Sequence, residues 1–150
     1  MDKYFMKLAL NEAYRAYEID EVPIGAVIVK DNKIIGRGYN LRETSNDPTS
    51  HAEIVAIREA SKRLGGWRLI GCTMYVTIEP CPMCAGAIIN SRIERLVIGA
   101  TDPKMGGCGS VIDITQNPQF NHMVKVEFGI LEEDCSTVVK SFFRKLRKKK

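Results

Sequence analysis

Two short stretches of the sequence carry the residue types of a metal site, namely His51-Ala52-Glu53 and, some thirty residues later, Pro80-Cys81-Pro82-Met83-Cys84. One imidazole and two thiolates supply three ligands for zinc, and three protein ligands leave the fourth tetrahedral position to water, as in a catalytic zinc site. Bound zinc lowers the pKa of that water to about 7. Because Glu53 lies within one helical turn of His51, its carboxylate can reach the water as a general acid and base. The pattern predicts hydrolytic loss of ammonia from an amidine-like carbon.

Two other uses of these residues stay open on spacing alone. The Cys81-x-x-Cys84 pair also fits a thioredoxin-like redox site, although such a site has no use for a His-x-Glu at a second helix start. A structural Cys₃His zinc site would need Cys72 or Cys108 as its fourth ligand, but neither has a partner at the usual short spacing. The two stretches together favour catalytic zinc, and His122, in a long loop, is not expected to be a ligand.

Composition indicates a globular protein of one domain over residues 1-150. The chain has 150 residues, 45% of them hydrophobic, which is enough to form a core. No stretch approaches the roughly 20 apolar residues of a membrane helix, and the first residues lack the apolar block of a signal peptide. The five cysteines are an odd number, which favours reduced thiols over a disulfide framework. We therefore expect a cytoplasmic protein.

The positive charge is concentrated at the carboxyl end. Six of the 22 basic residues lie at 144-150 with no acidic residue among them, whereas the other 16 face 18 acidic residues. A basic tail suggests a polyanionic partner. The alternative is that these charges complement the dipole of a last helix whose first turn is acidic, or form a solubilising end.

The elements that must position the two motifs follow from hydrophobic periodicity and turn signals. Asp31-Asn32 indicates a hairpin, and Asp47-Pro48 indicates a helix start, so that both motifs fall in the first turn of a helix. Helices are predicted over 2–18, about 48–64, from the turn at 79–82 to about 90, and about 132–147. Strands are predicted over 24–30, 33–39, 73–78, 95–100 and 124–130. This order predicts an α/β fold with helices on both faces of a mixed five-stranded sheet.

The connection over residues 101–123 is long and contains Gly106-Gly107-Cys108-Gly109. Connections of this length are usually functional or disordered. The glycines would let the backbone approach a ligand closely. A mobile surface loop is the equally supported alternative.

Further segments around the two motifs carry a resemblance to a known family. They are Val22–Ala26, Asn40, Asp47–Glu53, Thr77–Ala87, Gly99–Lys104 with the glycine loop that follows, and Ser141–Arg144. The paired zinc motifs resemble the cytidine deaminase-like superfamily, whose signature they match. The whole chain resembles the TadA family of bacterial tRNA-specific adenosine deaminases from end to end.

This resemblance implies a three-layer α/β/α cytidine deaminase-like fold and a homodimer with one zinc ion per subunit. The implied reaction converts the wobble adenosine of a tRNA anticodon to inosine, with His51, Cys81 and Cys84 as zinc ligands and Glu53 as the catalytic acid and base. An anticodon loop is single-stranded, so its base can enter a pocket without breaking a duplex. The resemblance further implies that Asn40 and the backbone at Ala52 read the purine edge. The residues implied to contact neighbouring nucleotides are Asp102, Lys104, Asn121, Phe143 and Arg144.

Rival functions share parts of this pattern. A deaminase of a free base or nucleoside, such as guanine or cytosine, would use the same zinc core, but an extended polyanion better explains the basic tail and the long loop. A non-catalytic, zinc-stabilised RNA-binding module would not need Glu53. Individual residues also have plainer interpretations, since Asn40 suits a turn and Phe143 a core.

Overall fold

The computed structural model describes residues 1–149, which form five helices and five strands. The five strands and four of the helices follow the predicted order, whereas the short helix over Arg42–Ser45 was not predicted. The final residue of the basic tail, Lys150, lies outside the described residues. Within them, no helix is both long and apolar enough to cross a membrane. The helices are α1 (Asp2–Glu18), α2 (Arg42–Ser45), α3 (Ala52–Leu64), α4 (Pro82–Asn90) and α5 (Glu132–Lys148), and the strands are β1 (Gly25–Lys30), β2 (Lys33–Tyr39), β3 (Thr73–Ile78), β4 (Arg95–Ala100) and β5 (Lys125–Phe128).

The strands form one mixed sheet in the order β2-β1-β3-β4-β5. Strand β1 is antiparallel to both β2 and β3, whereas β3, β4 and β5 run parallel. The predicted hairpin turn is confirmed, because Asp31 and Asn32 both have positive φ values, 51° and 61°, as a two-residue hairpin turn requires. Parallel pairing places the carboxyl ends of β3 and β4 at the same edge of the sheet, with Ile78 opposite Ala100.

The predicted three-layer α/β/α arrangement is confirmed by two cores on opposite faces of the sheet. Successive strand residues point to opposite faces. On one face the strands pack against α1 and α5, and the residues include Val27, Tyr75, Val97, Met6, Leu10 and Val138. On the other face they pack against α3 and α4, and the residues include Ile28, Met74, Ile98, Ala56, Ala60 and Ile88.

Glycines in β2 allow α3 to lie directly on the sheet. A Cβ atom at Gly36 would come within 2.4 Å of the Ala56 carbonyl oxygen, and one at Gly38 within 2.2 Å of the Ala52 carbonyl oxygen. These two glycines are two residues apart and so face the same side of the strand. The backbone of α3 therefore packs against the backbone of β2, and this contact sets the position of the first turn of α3.

The predicted start of α3 at Pro48 is wrong, since the helix begins at Ala52. The Asp47 carboxylate does not cap a helix; it accepts hydrogen bonds from the N–H and the hydroxyl of Thr49, at 2.8 and 2.7 Å. The N–H of Ser50 donates to the Asp47 carbonyl and completes a local turn. Because this turn uses the Asp47 side chain, the helix starts four residues later, with His51 as its N-cap.

Candidate active site

The structure brings the two motifs together at the first turns of α3 and α4. His51 is the N-cap of α3 and Cys81 the N-cap of α4, with Cys84 one turn into that helix. His51 Nδ1 lies 3.7 Å from Cys81 Sγ and 3.5 Å from Cys84 Sγ. All three ligand atoms lie within 4.8 Å of one another.

These separations fit a tetrahedral zinc ion. Zn–S bonds of about 2.3 Å and Zn–N bonds of about 2.0 Å place tetrahedral nitrogen and sulfur ligands about 3.5 Å apart, close to the distances from His51 to both thiols. Among the described residues, neither Cys72 nor Cys108 belongs to the cluster. The structural Cys₃His alternative therefore lacks its fourth ligand, and a metal held here would keep one position for water or substrate.

Hydrogen bonds inside the cluster shift the pKa values of both thiols. The Cys81 thiolate accepts hydrogen bonds from the Cys84 thiol and from His51, and these lower the pKa of Cys81 to about 4 although burial opposes the change. The bond to Cys81 and burial both raise the pKa of Cys84. The bond to Cys81 also raises the pKa of His51. Cys81 is thus a thiolate at a helix N-terminus, the form in which cysteine binds metal.

Glu53 lies in the first turn of α3 beside this cluster. Its side chain is buried, with 4% of the residue exposed. Burial, together with the charge of Cys81, raises the pKa of Glu53 to about 7. A carboxyl group with this pKa can both accept and donate a proton at neutral pH, as a general acid and base must.

A cavity of about 710 Å³ opens in front of the cluster, and both His51 and Glu53 line it. This volume lies within the range of small-molecule sites. Its walls come from the ends of β3 and β4, the loop that follows β4, and one face of α5. The apolar lining residues include Val22, Ile24, Ile78, Ala100, Met105, Val139 and Phe143.

Five of the seven predicted substrate contacts line the cavity: Asn40, Ala52, Asp102, Lys104 and Phe143. The Asn40 side chain is buried and its Oδ1 accepts the N–H of Arg42 at 3.3 Å, so Asn40 closes a turn as well as facing the cavity. Ala52 is the first residue of α3, and its N–H is one of those that the helix leaves without an internal partner.

The other two predicted contacts lie elsewhere. Asn121 and Arg144 are not among the described residues that line the cavity, and their contact with neighbouring nucleotides stays a prediction. The interpretation of Phe143 as a core residue is wrong, because Phe143 is 39% exposed while Phe142 is the buried member of the pair. Phe143 faces the cavity instead.

Three further residues of α5 that were not predicted to lie at the site also line the cavity, namely Ser136, Val139 and Lys140. Together with Phe143 they have the spacing i, i+3, i+4 and i+7 of a single helix face. Helical periodicity counted back from Phe143 could have identified them. Their presence places a hydroxyl and an ammonium group at the cavity wall beside an aromatic ring.

Gly106 and Gly107 of the long loop allow the loop to lie close to the rest of the protein, whereas a close approach to a ligand was only one of the two interpretations that the sequence left open. A Cβ atom at Gly106 would lie 2.4 Å from Glu79 Oε2, and one at Gly107 would lie 2.9 Å from the backbone nitrogen of Pro82. The cavity is lined by loop residues 101–105, before these glycines. The loop therefore packs on the turn that carries Cys81.

Comparisons with known proteins agree with this geometry. The family model for MafB19-like deaminases matches residues 1–147. A tRNA-specific adenosine deaminase of Bacillus subtilis (strain 168) is 53% identical over 99% of this chain and 92% of its own length. One of Aquifex aeolicus (strain VF5) is 50% identical, covering 97% of this chain and 95% of its own.

Solved structures show the same fold. A structure from a study of A-to-I editing by tRNA:A34 deaminases at the wobble position of transfer RNA has a TM-score of 0.87 and 47% identity, covering 90% of this chain and 98% of that one. A guanine deaminase from Nitrosomonas europaea, 21% identical, has a TM-score of 0.76 over 93% of this chain and 83% of its own, which shows the fold alone. With relatives at about half identity along nearly its whole length, this chain belongs to the family of tRNA-specific adenosine deaminases.

Proposed function

We propose that this chain is an enzyme that hydrolyses adenosine to inosine at the wobble position of a tRNA anticodon. The observation that carries the proposal is the position of the His51, Cys81 and Cys84 cluster, with Glu53 beside it, in the wall of a cavity large enough for a nucleoside. Family membership supports the choice of adenosine in tRNA. The proposed unit is a single deaminase domain over residues 1–150.

The three ligands would hold one zinc ion, which supplies hydroxide at neutral pH when bound. The buried Glu53 accepts a proton from the attacking water and donates it to the ring nitrogen next to the amino-bearing carbon. The oxygen of that water bonds to the amino-bearing carbon. A second transfer through Glu53 then moves the proton of the new hydroxyl to the amino group, and the carbon–nitrogen bond breaks to release ammonia as the carbonyl forms. Water and adenosine are consumed, and inosine and ammonia are formed.

Other residues bind and orient the RNA in this proposal. The amide of Asn40 and the free N–H of Ala52 read the purine edge, and Ile24 and Ile78 enclose the ring. The ammonium groups of Lys104 and Lys140 at the cavity wall attract neighbouring phosphates. Arg144 and the other basic residues at the end of α5 extend this positive surface away from the cavity.

We propose further that the enzyme is a cytoplasmic homodimer with one zinc ion per subunit. Helix α4 supports a partner surface because Pro82–Asn90 contains no charged residue, while Met83 is 37% exposed and Gly86 and Ala87 are partly exposed. An apolar helix face of this kind is typical of subunit interfaces. Light scattering coupled to size exclusion tests the homodimer, and zinc measured per chain tests the one ion per subunit.

The substrate is tested by incubating the purified zinc-loaded protein with an anticodon stem-loop, free adenosine, guanine and cytosine. We expect ammonia release from the stem-loop containing adenosine at the wobble position. An otherwise identical stem-loop with inosine already at that position is the matched control and should release none. Deamination of a free base without any reaction of the stem-loop would contradict the proposal.

The role of Glu53 is tested by Glu53→Ala, with Glu59→Ala on the exposed side of the same helix as control. We expect Glu53→Ala to retain fold and zinc and to lose about 10²- to 10⁴-fold in kcat. The control should keep wild-type activity. Full activity of Glu53→Ala would contradict the mechanism, whereas stem-loop binding without turnover by the wild type would favour a non-catalytic RNA-binding module.

A further inference from the structure

Glu79 is a buried acid next to the metal cluster that has no part in the mechanism described so far. It follows the last residue of β3 and stands two residues before Cys81. Only 3% of the residue is exposed. It does not belong to the cluster of His51, Cys81 and Cys84.

The two carboxylate oxygens of Glu79 accept four hydrogen bonds from the loop that follows β4. Oε1 accepts the N–H of Asp102 at 3.0 Å and the hydroxyl of Ser110. Oε2 accepts the N–H of Cys108 and the N–H of Ser110, each at 3.1 Å. Three backbone amides and one hydroxyl, spread over nine positions of the chain, thus converge on one side chain.

The loop also packs on the peptide bonds that follow Glu79. The N–H of Gly107 donates to the Pro80 carbonyl at 2.8 Å. At Gly106 there is no room for a Cβ atom, which would lie 2.4 Å from Glu79 Oε2 and 2.6 Å from the Asp102 carbonyl oxygen. The turn that carries the ligand Cys81 is therefore the surface on which the loop is built.

The same loop presents two of the residues proposed to contact RNA. Asp102 Oδ1 accepts the N–H groups of Lys104 and Met105 at 3.0 and 3.1 Å and closes a turn. This turn begins at the residue whose own N–H is held by Glu79. The position of Asp102 and Lys104 relative to the metal cluster thus depends on the Glu79 carboxylate.

We propose that Glu79 is a positioning residue for the deamination reaction, holding the substrate-binding loop of residues 101–110 in register with the ligand-bearing turn. This inference rests on the proposed function for its kinetic consequence. This role requires a carboxylate because both of its oxygens accept hydrogen bonds. A glutamine side chain has only one acceptor oxygen and would turn its NH₂ group toward N–H donors of the loop. At least one buried amide of the loop would then lose its partner.

The test compares Glu79→Gln and Ser110→Ala with the matched control Glu127→Gln. Glu127 is a carboxylate that accepts two hydrogen bonds from Arg95 at 3.1 and 2.6 Å, at the opposite end of β4 from the cavity. Four quantities are measured for each zinc-loaded protein: zinc per chain, thermal midpoint, amide hydrogen exchange of peptides within 101–112, and kcat and KM on the anticodon stem-loop.

We expect Glu79→Gln to retain zinc, to exchange faster within 101–112, and to raise KM about 10- to 100-fold with a smaller change in kcat. Ser110→Ala should change KM in the same direction by about 3- to 10-fold. In the double variant the two effects should not add, because both act through the same carboxylate. The control should lower the thermal midpoint without changing KM or the exchange of the loop.

Three outcomes would overturn the inference. The first is a KM for Glu79→Gln equal to that of the control, and the second is an activity loss fully explained by lost zinc. If Glu79→Gln fails to fold, the inference is tested with Ser110→Ala instead. The third outcome is then a KM for Ser110→Ala equal to that of the wild type. If the wild type does not deaminate the stem-loop, the proposed function fails by itself. Hydrogen exchange then still tests Glu79, and unchanged exchange in 101–112 would refute its hold on the loop.

Discussion

Replacing Gly38 with alanine tests whether the contact between α3 and β2 sets the catalytic geometry. A Cβ atom at this position would lie 2.2 Å from the Ala52 carbonyl oxygen and 2.7 Å from the Ala56 nitrogen. Ordinary contacts of a Cβ atom begin at 3.4 Å, so α3 would have to move by about 1 Å. The first turn of this helix carries Glu53, and His51 directly precedes it.

The expected size of the effect follows from that displacement. Overpacking of a core costs about 1–3 kcal/mol, so the free energy of unfolding should fall by about that amount. A shift of about 1 Å in a catalytic group costs on the order of 10²-fold in rate, which corresponds to about 2.7 kcal/mol of lost transition-state stabilisation. Both losses should appear in Gly38→Ala.

The assays are urea unfolding of the zinc-loaded protein and kcat/KM on the anticodon stem-loop. Gly66→Ala is the matched control at the other end of α3, because no heavy atom of the described residues outside Gly66 and its two chain neighbours lies within 4 Å of the added Cβ. We expect that control to change the free energy of unfolding by about 0.5 kcal/mol or less and to keep its activity. Wild-type stability and activity in Gly38→Ala would refute the reasoning.

Three further predictions concern metal binding, RNA binding and acid stability. Cys84→Ser should lose zinc on dialysis and lose activity with it, whereas Cys72→Ser should keep both, as metal analysis would show. Arg144→Gln should raise KM for the stem-loop a few-fold. It should also make the plot of log binding constant against log salt concentration less steep by about 1, and an unchanged slope would contradict this. Arg95 lowers the pKa values of Asp2 and Glu127 below 3.8 and 4.5, respectively. The stability that this pairing contributes is fully present above the ordinary pKa values of the two carboxyl groups. It is lost as the pH falls through their lowered pKa values in the folded protein. The free energy of unfolding, measured in urea, should therefore fall less steeply between about pH 5 and pH 2 in Arg95→Gln than in the wild type. Equal slopes of this free energy against pH in the two proteins would contradict the pairing.

Local sequence patterns predicted most of the elements and the metal ligands. Strands β2, β3 and β4 have the predicted bounds because their apolar runs end at polar or turn residues on both sides. The cluster could be predicted because the chemistry of zinc requires particular residue types at short spacing. The predicted start of α3 was wrong for a local reason. The Asp47 carboxylate can cap either a helix or a turn, and here it accepts hydrogen bonds from the N–H and hydroxyl of Thr49 within a turn.

The sequence by itself determined the reaction chemistry, because one imidazole, two thiols and a carboxylate at these spacings are the groups that a catalytic zinc site uses. Only the tertiary structure decided what surrounds them. The face of α5 that supplies Lys140, and the carboxylate of Glu79 beneath residues 102–110, lie far along the chain from the residues they meet. Such contacts depend on strand order and on which helix covers which face, and these follow from burying both faces of the sheet at once. Spacing along the chain therefore does not show which element each of these groups meets.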